Sequence, residues 1–391
     1  MSKRIAFIDL EVAEKTGKVN DYGAVTEKNE KLHTPSAKAF AEFLSGADYL
    51  CGHNIVEHDL KFGGHLVSDK IKAIDTLYLS PLLFPSRPYH HLVKDYKLDS
   101  DELNNPEHDA ELSRTLFYDE VNAFQALSDN YKHIYYKLLG SDPHFQGFFE
   151  YVGARVPLFY NLENDIRKTY DGRICKNADL SRWISEAPAS LAYALALISA
   201  KDDSITPRWV LYQYPVVTDI MKSLRTVSCN NCEYCRTNLS VKAQLKRIFG
   251  HDSFRTYAGE PLQEKAVQAA VDGKSLLVIF PTGGGKSITF QLPALMAGEQ
   301  ERGLTVVISP LQSLMKDQVD NLEKATIAQG VSINGMYSTV ERKEALDRVE
   351  SGLATLLYIS PEMLRSSTIE HLLLSRNVVR FVIDEAHCFS A

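Results

Sequence analysis

A glycine-rich turn between two apolar segments is the feature that most constrains the fold of this chain. The segment SLLVIFPTGGGKSITFQLPAL spans residues 275–295, and its pattern predicts a buried strand, a tight turn and a helix. Three consecutive glycines allow the backbone N–H groups of such a turn to close on phosphate oxygens. Lys286 would reach the β- and γ-phosphates, and Ser287 would ligate Mg²⁺ at the helix N-terminus. The segment therefore predicts a nucleotide site in a parallel α/β sheet.

Apolar strands and helices alternate after this turn, as they do in a parallel α/β sheet. The successive segments are LTVVISP, SLMKDQVDNLEK, SINGMYS, ATLLYISP and VVRFVIDEAH. The last strand delivers Asp384 and Glu385 to its C-terminal tip. We expect Asp384 to hold Mg²⁺ through water and Glu385 to polarise the attacking water. His387 would then couple the nucleotide site to a nucleic-acid site.

Several motifs in this region resemble those of the RecQ family of DNA helicases. They are FGHDSFR, PTGGGKSITFQLPAL, VVISPLQSLMKDQ, LLYISPEML and DEAHC, and they cover about residues 245–391. The resemblance implies an ATP-dependent DNA helicase in which Phe254, Arg255 and Gln263 belong to the adenine-recognition motif. The family has two residues between that Arg and Gln, whereas this chain has the seven residues TYAGEPL. The loop therefore departs from the family pattern.

The resemblance also implies a full set of nucleotide-binding and DNA-contacting positions. The nucleotide-binding residues are Thr282, Gly283, Gly284, Gly285, Lys286, Ser287, Asp384, Arg255 and Gln263. The residues at the positions where the family contacts one DNA strand are Ser309, Gln312, Ser313, Lys316 and Gln318. Because the chain ends at FVIDEAHCFSA, we expect a truncated first RecA-like lobe without its arginine finger, which is worth roughly 10³–10⁵ in rate. Such a lobe would hold ATP but would lack helicase activity.

Carboxylates in the first region have the pattern of a two-metal site. RIAFIDLEV alternates as a strand does, so Asp9 and Glu11 project from one face. Asp59 lies on a predicted amphipathic helix in CGHNIVEHDL, and Asp109 lies on a predicted helix in NNPEHDAELSRTLFYDEV. Four such carboxylates suit two Mg²⁺ or Mn²⁺ ions about 4 Å apart. The alternative is an ordinary strand face exposed to solvent.

Residues 4–125 resemble the DEDD family of 3′-5′ exonucleases, which have an RNase H-like fold. The segments IDTLYLSPLLFP and HHLVKDYKL are also typical of that family. The resemblance makes Asp9, Glu11, Asp59 and Asp109 the catalytic metal ligands.

The exonuclease family's general base is not at its usual position in this chain. The two positions at which the family places this base, a histidine or a tyrosine, carry Asn104 and Asn105 instead. His108, next to Asp109, is the candidate substitute base if the loop is rearranged, and the alternative is an ordinary surface histidine. The alternative is a degenerate exonuclease domain that binds nucleic acid for the helicase.

Four cysteines predict a metal site in the middle of the chain. Cys229, Cys232 and Cys235 have C-x2-C-x2-C spacing, and Cys175 lies 54 residues before the first of them. Four thiolates suit Zn²⁺ or a [4Fe–4S] cluster, and the compact spacing favours the cluster. The alternative is a set of free thiols in a reducing compartment.

Length and composition bound the remaining expectations. The chain has 391 residues, 45% of them hydrophobic, and a net charge of −7. We expect an α/β chain with an RNase H-like exonuclease domain at 1–125, a helical connector with the cysteines at 126–240, and the RecA-like lobe at 241–391.

DNA and ATP are the expected partners, and no apolar run is long enough for a membrane span. MSKRIAFIDLEV lacks the features of a signal peptide, which indicates a cytoplasmic location. A regulatory nucleotide-binding protein is the alternative from another functional class.

Overall fold

The fold consists of two compact units. The structure, a computed structural model, describes residues 3–13, 15–68, 70–86, 105–158, 160–200, 204–335 and 337–386. Described residues up to 84 and from 105 to 169 form the first unit, and those at 85–86 and from 170 to 386 form the second. Asn104, His387 and the segment HHLVKDYKL lie outside the described residues.

A five-stranded mixed sheet is the centre of the first unit. Its strands are β1 (Ile5–Ala13), β2 (Lys18–Thr26), β3 (Lys31–Thr34), β4 (Tyr49–Gly52) and β5 (Lys72–Asp75). They lie in the order β3-β2-β1-β4-β5. The three strands β1 to β3 form an antiparallel meander, whereas β4 and β5 run parallel to β1.

Helices cover this sheet. They are α1 (Ala37–Phe43), α2 (Asp59–Gly63), α3 (Thr76–Leu83), α4 (Pro106–Ala126), α5 (Asp129–Leu139), α6 (Pro143–Val152) and α7 (Leu162–Thr169). A 3₁₀ turn, Gly64–Leu66, follows α2. Ser36 and Asn105 cap α1 and α4 by accepting hydrogen bonds from backbone N–H groups of the first turn, which fixes where each helix begins.

Alternation along β1 explains how one strand serves both the core and a polar site. Ile8 and Leu10 point into a buried cluster on one face of the sheet. Phe7 points to the other face, where its ring lies 5.6 Å from that of Phe117 in α4. Side chains two residues apart share a face, so Asp9 and Glu11 continue the row that starts at Phe7 and faces α4.

A four-stranded parallel sheet is the centre of the second unit. Its strands are β6 (Gly303–Ile308), β7 (Gly330–Ile333), β8 (Leu356–Ile359) and β9 (Asn377–Ile383), in the order β7-β8-β6-β9. Strands β6, β7 and β8 are buried along their whole length. A parallel sheet covered by helices is the architecture expected of a RecA-like lobe.

Ten helices are described in the second unit. They are α8 (Leu180–Glu186), α9 (Pro188–Ser199), α10 (Arg208–Gln213), α11 (Val216–Arg225), α12 (Val241–Phe249), α13 (Leu262–Val271), α14 (Ile288–Glu301), α15 (Gln312–Lys324), α16 (Thr339–Glu350) and α17 (Ser367–Leu374). A π-helical turn covers Cys235–Leu239, and a 3₁₀ turn covers Pro361–Arg365.

The buried strand predicted from SLLVIF is not formed. Residues 274–281 have no strand assignment, and Leu277 and Ile279 are 79% and 81% exposed. A strand needs a neighbouring strand to satisfy its backbone hydrogen bonds. Within the part of the chain that the structure describes, β9 pairs only with β6, and residues 274–281 join neither. Apolar composition alone was therefore not sufficient for a strand at this place.

The division between the two units falls inside the predicted connector of residues 126–240. Helices α5, α6 and α7 belong to the first unit, and α6 packs directly on β5. Phe145, Phe148 and Phe149 of α6 are buried, so these aromatic side chains form part of the core of the first unit. The helices from α8 onwards belong to the second unit. The connector is thus divided between two hydrophobic cores.

Among the described helices, none has the length and apolar character needed to cross a bilayer.

Close packing of β2 against α4 generates the first prediction. A Cβ atom at Gly23 would collide with backbone atoms of Pro106 and Glu107, which cannot move aside as a flexible side chain would. We expect Gly23→Ala to lower the free energy of unfolding of the first unit by about 1–3 kcal/mol. Urea unfolding followed by circular dichroism measures the loss, and hydrogen exchange should locate it at α4.

The matched control is Gly64→Ala in the same unit. There the nearest atom to an added Cβ is Leu60 Cβ at 3.9 Å, and φ is −58°. This variant should unfold like the unsubstituted chain. Equal stability of the two variants would show that α4 is not seated on β2 as described.

Candidate functional site

Three carboxylates converge on the face of the first sheet that packs against α4. One oxygen from each of Asp9, Glu11 and Asp109 lies within 4.8 Å of the others. β1 supplies the first two, and the first turn of α4 supplies Asp109, about two helical turns before Phe117. The ring contact between β1 and α4 therefore sets the distance at which these carboxylates meet. All of the ligands are oxygens, which fits Mg²⁺ or Mn²⁺.

The fourth predicted carboxylate, Asp59, lies beside this group. Asp59 is the first residue of α2 and is almost completely buried. Its Oδ1 accepts a hydrogen bond of 2.8 Å from the backbone N–H of Leu10, the residue between Asp9 and Glu11. Asp59 is not a member of the group that lies within 4.8 Å. Burial raises the pKa of Asp59, and the neighbouring His58 offsets part of that rise.

A buried carboxylate at the end of β5 holds the loop that carries Asp59. Asp75 accepts hydrogen bonds from the backbone N–H groups of Asn54, Val56 and Leu77, at distances of 2.9, 3.1 and 3.0 Å. Burial raises the pKa of Asp75 to about 6, and these amide donors offset part of the rise. Asp75 therefore positions the metal-ligand candidate Asp59 through the backbone.

His108, the predicted substitute base, does not share the orientation of Asp109. Consecutive residues on a helix point about 100° apart, so His108 is exposed while Asp109 is buried. The ring of His108 lies 3.9 Å from Glu111 Oε2. Asn105, at one of the usual base positions, caps α4 by accepting hydrogen bonds from the N–H groups of Glu107 and His108.

His58 is a residue near this site that the sequence reasoning missed. Its Nδ1 lies 3.7 Å from Asp59 Oδ1. The carboxylate of Asp59 raises the pKa of His58, and the charges of Asp9 and Glu11 raise it further. The only sequence signal was its position immediately before Asp59.

The second candidate site is the glycine-rich turn before α14. Gly283 and Gly285 have φ values of +71° and +75°, which side chains rarely adopt. A Cβ atom on Gly284 would lie 2.7 Å from the carbonyl oxygen of Pro281. Each glycine of the turn is therefore required by the backbone path, as the sequence predicts. Ser287 precedes the first residue of α14, so the turn leads directly into a helix N-terminus.

Side chains from residues 255–263 hold the carbonyl groups of this turn. Arg255 donates to the carbonyl of Gly283 at 2.6 Å, and Gln263 donates to the carbonyl of Gly285 at 2.9 Å. The hydroxyl of Tyr257 donates to the carbonyl of Gly284.

The same residues also brace one another. Gln263 accepts a 2.8 Å hydrogen bond from the backbone of Arg255, and the Tyr257 ring stacks on Phe280 with centroids 4.3 Å apart. The N–H of Gly284 donates to the carbonyl of Pro281 at 2.9 Å, and the hydrogen bonds to the carbonyl groups leave the other N–H groups of the turn to face an anion. Tyr257 lies in the unusual seven-residue insertion and was not anticipated.

The tip of β9 brings acidic residues to the same turn. The N–H of Asp384 continues the parallel ladder by donating to the carbonyl of Ile308 at 3.0 Å. The next residue, Glu385, has its Oε1 3.9 Å from Lys286 Nζ. Burial raises the pKa of Asp384, while the hydrogen bond from the Glu385 backbone opposes the rise. The cationic and acidic elements of the predicted nucleotide site therefore meet.

A buried hydrogen-bond chain connects this turn with a predicted DNA-contacting residue. Gln291 of α14 donates to Gln318 Oε1 of α15 at 2.9 Å and to the hydroxyl of Tyr358 at 3.0 Å. Ser309 follows β6 and is buried, with its backbone N–H donating to Ile359. Lys316 and Ser313 are exposed on α15. Gln318 is thus coupled to the helix that follows the glycine turn.

The four predicted cysteine ligands also converge. One Sγ atom from each of Cys175, Cys229, Cys232 and Cys235 lies within 4.8 Å of the others. Three of the four are buried, and Cys229 is partly exposed. This group lies wholly in the second unit.

Comparisons with known proteins match the C-terminal third of the chain. The family described as DEAD/DEAH box helicase matches residues 260–391. ATP-dependent DNA helicase Q5 of Rattus norvegicus is 46% identical over 157 residues, covering 38% of this chain and 15% of that protein. ATP-dependent DNA helicase RecQ of Haemophilus influenzae is 41% identical over 157 residues, covering 39% of this chain and 23% of that protein.

Residues 260–391, called the helicase region below, match the DEAD/DEAH box helicase family, and the chain is similar to the two ATP-dependent DNA helicases named above. The matched part of this chain spans less than a third of the curated relatives named above. The helicase region contains the glycine turn, the β9 tip and α15. Arg255 and Tyr257, which hold the glycine turn, precede its first matched residue.

The hydrogen bonds that Asp75 accepts from three backbone N–H groups lead to the second prediction. One oxygen of Asp75 accepts from the N–H groups of Asn54 and Leu77, and the other accepts from that of Val56. In Asp75→Asn, the side-chain NH₂ group therefore faces a backbone N–H donor in either orientation. We expect Asp75→Asn to destabilise the first unit by about 1–3 kcal/mol and to increase hydrogen exchange at Val56 and Asn54. Asp129→Asn, at a side chain that is 85% exposed, should leave both measurements unchanged. Unchanged exchange in Asp75→Asn would refute the positioning role.

Proposed function

We propose that residues 241–386 bind ATP with Mg²⁺ as part of a RecQ-like ATP-dependent DNA helicase. The observation that carries this proposal is the approach of Lys286 Nζ to Glu385 Oε1 at 3.9 Å. It unites the glycine turn with the acidic strand tip, which are the two halves of a P-loop nucleotide site. The relatives named above are ATP-dependent DNA helicases, which supports the same assignment.

Each residue of this site has a distinct role in the proposal. The backbone N–H groups of residues 285–287, at the start of the helix, face the phosphates, and Lys286 neutralises their charge. Ser287 and Asp384 hold Mg²⁺, which neutralises charge on the phosphate oxygens when bound. Glu385 orients and polarises the attacking water. In the absence of nucleotide, Glu385 also offers a counter-charge to Lys286.

Nucleotide binding tests this proposal directly. The charge-assisted contacts of Lys286 with phosphate are worth about 1.5–3 kcal/mol, so Lys286→Ala should weaken ATP affinity by about ten- to a hundredfold. Titration with a fluorescent ATP analogue measures the change. Lys274→Ala removes an exposed lysine that pairs with Asp272 at 3.8 Å, and it should bind like the unsubstituted chain. Equal affinity in both variants would contradict the proposal.

We propose further that the first unit is a metal-dependent 3′-5′ exonuclease of the DEDD type with an RNase H-like fold. The convergence of Asp9, Glu11 and Asp109 within 4.8 Å carries this proposal. The strand order β3-β2-β1-β4-β5, with an antiparallel meander followed by parallel strands, supports it. An exposed strand face would not bring a helix carboxylate to the same point.

The carboxylates would act by holding divalent ions at the scissile phosphate. Asp9, Glu11 and Asp109 are the direct ligands, and Asp59 is placed beside them by its bond to the Leu10 amide. Bound Mg²⁺ or Mn²⁺ supplies an activated hydroxide and stabilises the leaving oxygen. The base assigned from sequence is His108, whose ring lies near Glu111.

A nucleic-acid-binding module is the second candidate for this unit. Asn105 occupies a usual base position, and the structure uses its side chain to cap α4. A cluster of carboxylates without a general base would still bind cations and, through those cations, a phosphate backbone, but it would cleave slowly. Retained DNA affinity without cleavage separates this candidate from the first.

Nucleotide release from labelled single-stranded DNA with Mn²⁺ tests the nuclease. Removing one ligand of the group should lower the rate at least about 10²-fold, because metal-ion stabilisation is worth several kcal/mol. We therefore expect Asp9→Ala to be inactive and Asp129→Ala, at an exposed position, to be active. Chelation should abolish release. Release by Asp9→Ala at the unsubstituted rate would exclude this site, and no release by any form would favour the binding module.

A further inference from the structure

We propose that Cys175, Cys229, Cys232 and Cys235 bind a single Zn²⁺ ion that fastens the cysteine segment to the helicase region. The cysteine segment is defined here as residues 226–239, between α11 and α12. The DEAD/DEAH box family match begins at residue 260 and does not include these residues. The proposal therefore stands independently of the nuclease and ATP assignments.

Sulfur separation distinguishes one ion from an iron–sulfur cluster. Four thiolates about 2.3 Å from one zinc ion lie about 3.8 Å apart at the corners of a tetrahedron. In a [4Fe–4S] cluster each thiolate binds a different iron, which spreads the four sulfurs to roughly 6 Å. All four Sγ atoms here lie within 4.8 Å of one another. The pocket thus has the dimensions of a mononuclear site.

The surroundings of the sulfurs also fit metal-bound thiolates. The backbone N–H of Cys229 donates to Cys235 Sγ at 3.5 Å, and that of Cys235 donates to Cys232 Sγ at 3.4 Å. Such N–H···S bonds orient thiolate ligands and reduce their charge. All four cysteines are free of disulfides. Ordinary core packing gives no reason for four sulfurs from two distant segments to meet.

The group joins parts of the second unit that are far apart in sequence. Cys175 precedes α8, and its backbone N–H donates to the carbonyl of Leu224 in α11 at 2.7 Å. The other three ligands follow α11. A metal held by all four therefore closes a loop of more than fifty residues that contains α8 to α11.

The cysteine segment is in turn bonded to the end of α14. Tyr234 donates to the carbonyl of Arg225 at 2.9 Å, and Arg225 donates to the carbonyl of Glu299 at 2.9 Å. Gln300 of α14 donates to the carbonyl of Asn238 at 2.8 Å. Because α14 begins at the glycine turn, the metal braces the far end of the helix that presents the nucleotide site.

Metal content of the full chain tests the proposal. We expect chain purified without oxygen to contain about one zinc and no acid-labile sulfide, and to be colourless. Replacement of zinc by Co²⁺ should give the strong visible ligand-field bands of a tetrahedral tetrathiolate site. Iron with sulfide and a brown colour would overturn the proposal in favour of a cluster.

Variants locate the metal. Cys232→Ser should reduce zinc content at least about tenfold, whereas Cys51→Ala, at a buried cysteine in β4 of the other unit, should retain it. If Cys232→Ser fails to fold, titration of the unsubstituted chain with a zinc chelator provides the same information. We expect chelation to lower the unfolding temperature and expose four thiols. A metal-free chain that unfolds at the same temperature would refute the bracing role.

Discussion

Repulsion between carboxylates is the constraint that the first unit must satisfy. Charges 4.8 Å apart repel by about 3 kcal/mol at an effective dielectric constant near 20, and three such groups meet between β1 and α4. Packing of Phe7 on Phe117 and the absence of a side chain at Gly23 hold α4 in place against this repulsion. Apolar packing on the same face of the strand therefore offsets the repulsion within the polar site, and a divalent cation would relieve the remainder.

Most of the sequence interpretation rested on two local signals, the alternation of side chains along a strand and the residues that form a tight turn. Alternation in RIAFIDLEV placed Asp9 and Glu11 on one face, and the glycine triplet placed a turn before a helix. Both features depend on local backbone geometry, which the sequence determines directly. The meeting of Lys286 with Glu385 follows from the same logic, since parallel strands and their connections place their functional ends at one edge of a sheet.

Other features depend on partners that the local sequence does not contain. SLLVIF has strand composition, but residues 274–281 find no strand to pair with among the described residues. Arg255 and Gln263 were assigned to adenine recognition, and the structure places both on the carbonyls of the glycine turn. Tyr257 could not be assigned because it lies in an insertion. For the cysteines, spacing along the chain favoured a cluster, while the distances between sulfurs in space favour one ion.

The outer edge of β9 has a consequence for how this chain behaves in solution. Phe381 and Ile383 of β9 are more than half exposed, and so are Leu277 and Ile279 in the segment before the glycine turn. An unpaired edge with apolar side chains is a template on which another extended segment can add by main-chain hydrogen bonding. Chains could therefore associate through this edge at high protein concentration, even though their net charge of −7 makes them repel one another. Because main-chain hydrogen bonds and apolar contacts drive this association, lowering the protein concentration should reduce it more than changing the salt concentration.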